Sequence, residues 1–288
     1  MMLSVMAALI NIVLDPILVY GLDLGLMGAA FATVISYIAV TAIGFYWYLG
    51  GIMYVRPSFK GFRFVREQIS DILTVGAPNS FQLLIVPLLM IPENALVYAC
   101  GGDTGMIAYH YSFYFVTLAC IPSTAIAAAM IPITSAAQGQ NDFEKAKLGF
   151  RYSAKLAMGI SLMLGIVLFI FAGPLTSMYA QSPEIAPMHT EMTKALMIYA
   201  FVTVVISGNG ICSAIQQSLR FAHYAMTISV FREILFLSFY WAASGISMDA
   251  IYWSVNCVNV ITLAVNLIVT VRSVRTREKA YPPPAAAV

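Results

Sequence analysis

The chain has 288 residues, of which 60% are hydrophobic and 10% are charged, against roughly 25% charged in ordinary soluble domains. This composition excludes a typical soluble enzyme, and a formal net charge of +2 is too small to indicate a nucleic-acid partner. Apolar runs of about 20 residues recur, and each is long enough to cross a hydrocarbon core roughly 30 Å thick. The chain is therefore predicted to be a polytopic membrane protein.

Eight apolar segments are predicted to span the membrane. In lipid the backbone must satisfy its own hydrogen bonds, so a span is either a helix or a strand of a closed barrel. The sequence lacks the alternating polarity of barrel strands, so the predicted fold class is all-α with about eight transmembrane helices. The segments cover residues 3–20, 28–48, 74–98, 105–136, 152–173, 194–214, 222–243 and 250–271.

Lysine and arginine mark one side of the predicted membrane protein. The connections at 21–27, 99–104, 174–190 and 244–249 contain neither residue. The alternate connections and the tail hold twelve: Arg56, Lys60, Arg63, Arg66, Lys145, Lys147, Arg151, Arg220, Arg272, Arg275, Arg277 and Lys279. Short cytoplasmic loops carry an excess of basic residues, so this alternation predicts a multi-pass protein of the plasma (inner) membrane with both termini cytoplasmic.

The first span carries a candidate ion site. Asn11 and Asp15 are four residues apart and so share one helix face, while Pro16 removes a backbone donor, frees the Ile12 carbonyl and is predicted to bend the helix. A carboxylate, an amide oxygen and a free carbonyl are suitable ligands for a sodium ion or proton. The alternative is that Asp15, near the outer loop, reaches the lipid headgroups.

Prolines in the third span are predicted to bend it. They are Pro78, Pro87 and Pro92. Broken helices with polar side chains commonly line a cavity, which makes three neighbours candidate cavity residues: Gln82, Glu93 and Asn94. Glu93 and His110 both fall on the outer side of the predicted topology, where an acid and an imidazole are expected to meet. Alternatively, Glu93 is a structural residue near the interface.

Charged and amide residues also occur in the later spans. Arg232 and Glu233 lie near the middle of the seventh span. Adjacent helix positions point about 100° apart, so each is expected to need another partner, either in a charge relay or substrate contact or in a buried interhelix ion pair. Glu191 and Lys194 are expected to form an exposed pair. The last span has a stripe of amides predicted to face protein or water: Asn256, Asn259 and Asn266. With His110, the first two are also candidate substrate-cavity residues.

Motifs of intramembrane and soluble enzymes are absent from the sequence. It contains no HExxH zinc motif, no GxxxxGK[ST] phosphate loop and no GxSxG nucleophile elbow. The chain is therefore predicted to be a transporter rather than an enzyme, with no catalytic residues, no metal site and no organic cofactor.

One stretch resembles a known family. NIVLDPILVYGLDLGLMGAAFATVIS, at residues 11–36, strongly resembles the segment joining the fifth and sixth helices of multidrug and toxic compound extrusion (MATE) transporters. The stretches at 75–82 (VGAPNSFQ), 131–142 (IPITSAAQGQND) and 216–233 (QQSLRFAHYAMTISVFRE) resemble the seventh helix, the end of the eighth and the tenth-to-eleventh connection. The resemblance extends over residues 1–272.

The resemblance implies a two-lobe fold of twelve helices with the first lobe incomplete, because the family's first four helices have no counterpart here. Residues 1–50 would be the remnant of the N-terminal lobe, 51–73 a cytoplasmic interlobe linker, 74–271 the six-helix C-terminal lobe and 272–288 a cytoplasmic tail. It further implies export of amphipathic or cationic small molecules by alternating access, in exchange for Na⁺ or H⁺.

The resemblance also favours the ion-site interpretation of the first span. Prokaryotic members hold a cation with an Asn and an Asp on the fifth helix, a Thr on the sixth and an Asp on the first. Asn11, Asp15 and Thr33 match the first three of these. The first-helix Asp has no counterpart in the chain, so the resemblance supplies three of the four side chains of the cation site.

The sequence allows three functions. A truncated multidrug exporter, acting on small molecules from within the bilayer, is the leading hypothesis. A lipid-linked oligosaccharide flippase would need several cations along its cavity, and only Arg232 lies deep in a span. The third alternative is a non-transporting membrane fragment or subunit, and the sequence leaves self-association undetermined.

Overall fold

A computed structural model of the chain describes residues 2–51, 65–140, 142–179 and 185–280. Helices make up nearly all of this described part and no strand occurs in it, which confirms the predicted all-α fold. The chain divides into two compact units, Met1–Val65 and Arg66–Val288, here called unit 1 and unit 2. Their assignment to the predicted lobes remains a prediction, and linker residues 52–64 lie outside the described residues.

Unit 1 is a pair of helices joined by a short turn. Helix α1 covers Met2–Pro16, and a π-helix at Ile17–Gly21 continues it. Proline has no N–H to donate to the preceding turn, and the helix changes from α to π immediately after Pro16. Prolines and π-helical turns are both recognised causes of helix irregularity, and the predicted bend at Pro16 stays a prediction.

Helix α2, Gly25–Leu49, packs on α1 through small residues. The buried residues of α2 recur every four positions, which places them on one face: Gly28, Ala32, Ser36 and Val40. A Cβ on Gly28 would lie 2.6 Å from the carbonyl oxygen of Leu18. Only glycine fits this approach, so small residues let the two backbones come close, as is common for helices in membranes.

Unit 2 begins with a helix that is too long for one crossing. Helix α3 covers Arg66–Gly139, 74 residues, or roughly 110 Å at 1.5 Å per residue. Gly102, at φ 56° and ψ −153°, has a non-helical backbone in a region that favours glycine. It divides α3 into a first arm, 66–101, and a second arm, 103–139.

Seven further helical segments follow in the described part of unit 2. They are α4 Phe143–Ile170, α5 Ala172–Tyr179, a 3₁₀ turn Ala186–Met188, α6 His189–Ala200, α7 Val202–Ser218, α8 Ala222–Ser244 and α9 Met248–Ala280. The sixth predicted span is broken: α6 and α7 meet at Phe201, and the pair is bent by 45°. The tail predicted from residue 272 is helical as far as Ala280, and residues 281–288 lie outside the described part.

The membrane-length helices agree with the predicted number of spans. Six described helices are long and apolar enough to cross a membrane, and the bent pair raises the number to seven. One of the six, Gly76–Gly139, has 64 residues, far more than the roughly 20 that one crossing needs. Its two arms therefore count separately, which gives eight.

The prolines of α3 do not interrupt it. Helical structure continues through Pro78, Pro87 and Pro92, and the single non-helical residue within α3 is Gly102. The break therefore lies in the connection between the third and fourth predicted spans. Ser/Thr hydroxyls and neighbouring helices can satisfy the carbonyls that a proline frees inside a membrane helix, which is why proline alone is a weak predictor of a break.

Helices α4 and α7 cross through small and hydroxyl residues. Thr203 on α7 donates to the Ser161 carbonyl at 3.2 Å, and the hydroxyls of Ser161 and Ser207 are 2.5 Å apart. A Cβ on Gly165 would lie 2.5 Å from Thr203 Oγ1 and 2.8 Å from the Ala200 carbonyl oxygen. This is the small-residue spacing, four apart on each helix, that brings membrane helices into close contact.

Candidate functional site

The three residues predicted to form an ion site come together in unit 1. The Asn11 side-chain amide lies between Asp15 on α1 and Thr33 on α2. With the amide oriented so that both of its polar atoms have partners, its nitrogen donates to Asp15 Oδ2 at 3.2 Å and its oxygen accepts from the Thr33 backbone N–H at 3.3 Å. The Thr33 hydroxyl donates to the Ala29 carbonyl at 3.0 Å.

A cavity of about 430 Å³ opens beside these residues, between α1 and α2. Asn11 and Thr33 are part of its lining, together with Ser36 and Tyr37. Asn11 and Asp15 are half-buried and Thr33 is exposed. An amide and a hydroxyl thus line this cavity, and the Asp15 carboxylate is hydrogen-bonded to the amide, an arrangement that suits a small cation or a proton.

A second charged cluster lies in unit 2, between the first arm of α3 and α8. Arg232 donates to the Glu233 carboxylate through Nη2 at 2.6 Å and through Nε at 3.1 Å. Glu93, only 5% exposed, interacts electrostatically with both of these residues. Gln82 on the first arm of α3 donates to Ser229 Oγ on α8 at 2.9 Å, and this bond joins the same two helices.

The prediction that Arg232 and Glu233 do not pair with each other was wrong. The 100° separation of adjacent positions applies to the Cα–Cβ bonds, whereas the arginine side chain is long enough to fold back along the helix surface. The alternative was a buried ion pair between two helices. The ion pair lies within α8, and Glu93 on α3 interacts with it electrostatically. The guanidinium thus bonds to the buried Glu233 carboxylate, and the Glu93 carboxyl group lies within electrostatic range of both.

Two other expected contacts differ in the structure. His110 is exposed and stacks edge-on against Tyr109 with ring centroids 5.3 Å apart, and no contact with Glu93 occurs among the described residues. Asn94 is half-buried. Lys194 forms its salt bridge with Asp249 of α9 at 2.5 Å, not with Glu191 as predicted, because α6 and α9 pack together at this end.

Two buried tyrosines, Tyr109 and Tyr240, lie next to the charged cluster, and ring contacts continue from Tyr109 through Tyr199 to Tyr252 in the core. Tyr109 and Tyr240 share a hydrogen bond of 3.0 Å between their hydroxyls, and Tyr109 also interacts electrostatically with the carboxyl groups of Glu93 and Glu233. Within the described part of the chain, the hydroxyls of Tyr199 and Tyr252 and the Glu93 Oε1 atom have no hydrogen-bond partner. The interior of unit 2 thus contains polar groups around Glu93 and the tyrosine hydroxyls.

The asparagine stripe of α9 faces protein, as predicted. Asn256 donates to the Ile198 carbonyl at 3.1 Å, and the Asn259 carbonyl accepts from Asn209 of α7 at 3.2 Å. Asn266 donates to the Asn209 side-chain oxygen at 3.2 Å. These bonds tie α9 to α6 and α7, so Asn256 and Asn259 have structural partners.

Sequence reasoning missed the α7 half of this network. Gln216, fully buried, donates to Asn266 Oδ1 at 2.7 Å and to Thr270 Oγ1 at 2.9 Å. Asn209 and Gln216 are seven residues apart on α7, as Asn259 and Asn266 are on α9. This matching spacing was a usable signal, because residues seven apart lie on one helix face.

These features define a class of protein. Repeated membrane-length helices that bury acid, base and amide side chains are typical of helical membrane transporters. The family model described as MatE matches residues 78–241, more than half of the chain. The chain belongs to this family, whose members are transporters and not enzymes, which confirms the resemblance found in the sequence.

Two groups of relatives accompany the family match. An FAD transporter of Shewanella oneidensis is 27% identical over 192 residues, which cover 64% of this chain and 41% of the relative. Multidrug export protein MepA of Staphylococcus aureus is 30% identical over 107 residues, 37% of this chain and 24% of MepA. The chain thus spans less than half of the length of these curated relatives.

Solved structures show the same fold. A crystal structure of MATE in complex with MaL6 superposes with a TM-score of 0.91 at 24% identity, over 96% of this chain and 63% of that one. A MOP superfamily transporter from Pyrococcus furiosus superposes with a TM-score of 0.89 at 23% identity, over 96% and 62%.

Proposed function

We propose that this chain belongs to a secondary active exporter that moves cationic or amphipathic small molecules out of the cell in exchange for Na⁺ or H⁺. The observation that carries the proposal is the cluster of Asn11, Asp15 and Thr33 beside the unit 1 cavity. The resemblance to MepA, a multidrug export protein, supports the substrate class. The cytoplasmic position of both termini in the inner membrane is part of the same proposal.

Coupling is proposed to act through the charge of Asp15. While the carboxylate is ionised, the Asn11 amide holds it by a charge-assisted hydrogen bond. A bound cation or proton neutralises the carboxylate and competes with this bond. The π-helix at Ile17–Gly21 begins two residues beyond Asp15, so a change in its side-chain contacts acts on a backbone that is already irregular. Different affinities of the ion for two conformations then bias their populations.

The test is export of a fluorescent cationic dye from cells that express the chain. Wild type is expected to lower dye retention only while one of the two gradients, Na⁺ or H⁺, is intact. Asp15→Asn removes the charge at nearly constant shape and is expected to reduce this export to the level of cells without the chain. The gradient whose collapse stops export identifies the coupling ion.

Asp23→Asn is the matched control. It makes the same substitution at an exposed acid in the turn between the π-helix and α2, and asparagine tolerates the φ of 53° found there. Export by this variant is expected to equal wild type. Equal export by Asp15→Asn and wild type would contradict the proposed ion site. No export by a well-expressed, membrane-inserted wild type would favour the non-transporting alternative.

A flavin nucleotide is the second candidate substrate. The FAD transporter of Shewanella oneidensis aligns with 64% of this chain. Release of FAD into the medium, measured in the same cells, distinguishes the flavin substrate from the cationic one. FAD release without dye export favours the flavin substrate. The flippase alternative loses its one deep cation, because Arg232 is already paired with Glu233.

A further inference from the structure

A groove with basic and apolar walls lies at one end of unit 2, where α4 begins and α7 and α9 end. Its volume is about 290 Å³. Phe150, Ile215 and Val274 are among the apolar residues that line it, and they come from all three helices. We call this space the basic groove, because Lys147, Arg151 and Arg275 also line it.

Two of the three cations in the basic groove are available to a ligand. Lys147 is bound by Glu278 at 2.6 Å and by Glu144 at 3.2 Å. Arg151 and Arg275 are exposed, and neither forms an ion pair with any described residue. Glu278, which also lines the groove, neutralises Lys147, so the charges of Arg151 and Arg275 leave the groove net positive.

Nearby Arg277 differs from these two arginines because it has a structural role. Its Nε donates to the Leu219 carbonyl at the end of α7 at 3.1 Å, and its guanidinium lies 4.7 Å from the centre of the Phe221 ring. A cation at a helix C-terminus stabilises the last carbonyls. Arg151 and Arg275 have no comparable contact with the part of the chain that the structure describes, and both line the groove.

The combination of two arginines with an apolar wall fits an amphipathic anion. The guanidinium group is planar and binds phosphate oxygens through paired N–H donors. Acyl chains pack on apolar side chains such as Phe150 and Val274. The basic connections of the chain predict that this end faces the cytoplasmic leaflet, where anionic phospholipids are concentrated.

We propose that the basic groove binds an anionic phospholipid, with its phosphate on Arg151 and Arg275 and an acyl chain along Phe150, Ile215 and Val274. The lipid bridges α4 and α9, which the Lys147–Glu278 ion pair already joins at the same place. This binding site is independent of ion coupling, because unit 2 alone supplies every residue.

The test is thermal unfolding of the purified full chain in detergent micelles that contain phosphatidylglycerol, phosphatidylcholine or inorganic phosphate. Phosphatidylglycerol is expected to raise the unfolding temperature in a saturable manner, and the other two are expected to have little effect. In Arg151→Gln/Arg275→Gln the apparent affinity for phosphatidylglycerol is expected to fall about thirtyfold, the effect of two basic residues at a charged surface.

The matched control is Lys155→Gln/Arg272→Gln. It removes the same charge from α4 and α9 at exposed positions outside the groove lining, and its affinity for phosphatidylglycerol is expected to remain near wild type. Equal losses in the two double variants would show general attraction to a charged surface and overturn the proposal. Equal stabilisation by phosphate and by phosphatidylglycerol would show a plain anion site and also overturn it.

A second measurement does not depend on the stability of the double variants. In Phe150→Trp, phosphatidylglycerol with brominated acyl chains is expected to quench the added fluorescence, taken as the difference from the parent chain. Brominated phosphatidylcholine at the same concentration is expected to quench it less. Equal quenching by both lipids would mean that no headgroup selection occurs and would refute the site.

Discussion

Arg232→Met is expected to destabilise unit 2 by roughly 3 kcal/mol or more, as is usual when one member of a buried ion pair is removed. The Glu233 side chain is only 4% exposed and the Arg232 side chain 31%. Without the guanidinium, Glu233 and the neighbouring Glu93 are buried near each other with no cation between them. The unfolding temperature of the purified chain, followed by intrinsic fluorescence in detergent, measures the loss.

The double variant Arg232→Met/Glu233→Met is the control for this prediction. Replacing both partners of a buried pair by apolar residues is often neutral, so the double variant is expected to recover most of the stability lost in Arg232→Met. A double variant that unfolds as early as the single variant would show that the arginine acts through packing. An unchanged unfolding temperature in Arg232→Met would show that the charge pair has no net role.

Gly165→Leu is expected to separate α4 from α7. The new Cβ would lie 2.5 Å from Thr203 Oγ1 and 2.8 Å from the Ala200 backbone oxygen, and a backbone atom cannot move aside as a flexible side-chain end can. Overpacking of this kind costs roughly 1–3 kcal/mol, and the hydrogen bond from Thr203 to the Ser161 carbonyl is lost in addition. The unfolding temperature reports the combined effect.

Gly159→Leu on the same helix is the matched control. No atom lies within 4 Å of the Cβ position at Gly159, and the residue is exposed. Since leucine favours helix over glycine, this variant is expected to be as stable as wild type or slightly more stable. If the two leucine variants unfold at the same temperature, α4 and α7 do not approach each other closely at Gly165.

Sequence reasoning succeeded where the contacts are local. Asn11 and Asp15 are one turn apart, and a short turn brings Thr33 back to them, so helix periodicity and the family resemblance were enough to place all three. The stripe of Asn256 and Asn259 was also predictable, because amides inside a span avoid lipid. Their partners on α6 and α7 were not, since periodicity does not identify the neighbouring helix.

Three features were not predicted: a contact between helices, a break between two helices and a pairing of adjacent side chains. The rotation of the first arm of α3 decides whether Glu93 faces α8 or His110, and no sequence pattern fixes that rotation. The break at Phe201 between α6 and α7 occurs without a proline or glycine at the junction. The pairing of Arg232 with Glu233 depends on the reach of a long side chain, which a rule based on Cβ directions does not include.

Coupling through Asp15 is tested most directly by ion-driven transport with the purified chain in sealed lipid vesicles. A Na⁺ gradient or a pH gradient is imposed separately, and movement of a cationic dye is followed for wild type, Asp15→Asn and Asp23→Asn. If Asp15 couples transport to an ion, one gradient drives dye movement in wild type and Asp23→Asn but not in Asp15→Asn. Dye movement that is equal in all three variants, or absent from wild type that is folded and inserted, would contradict it.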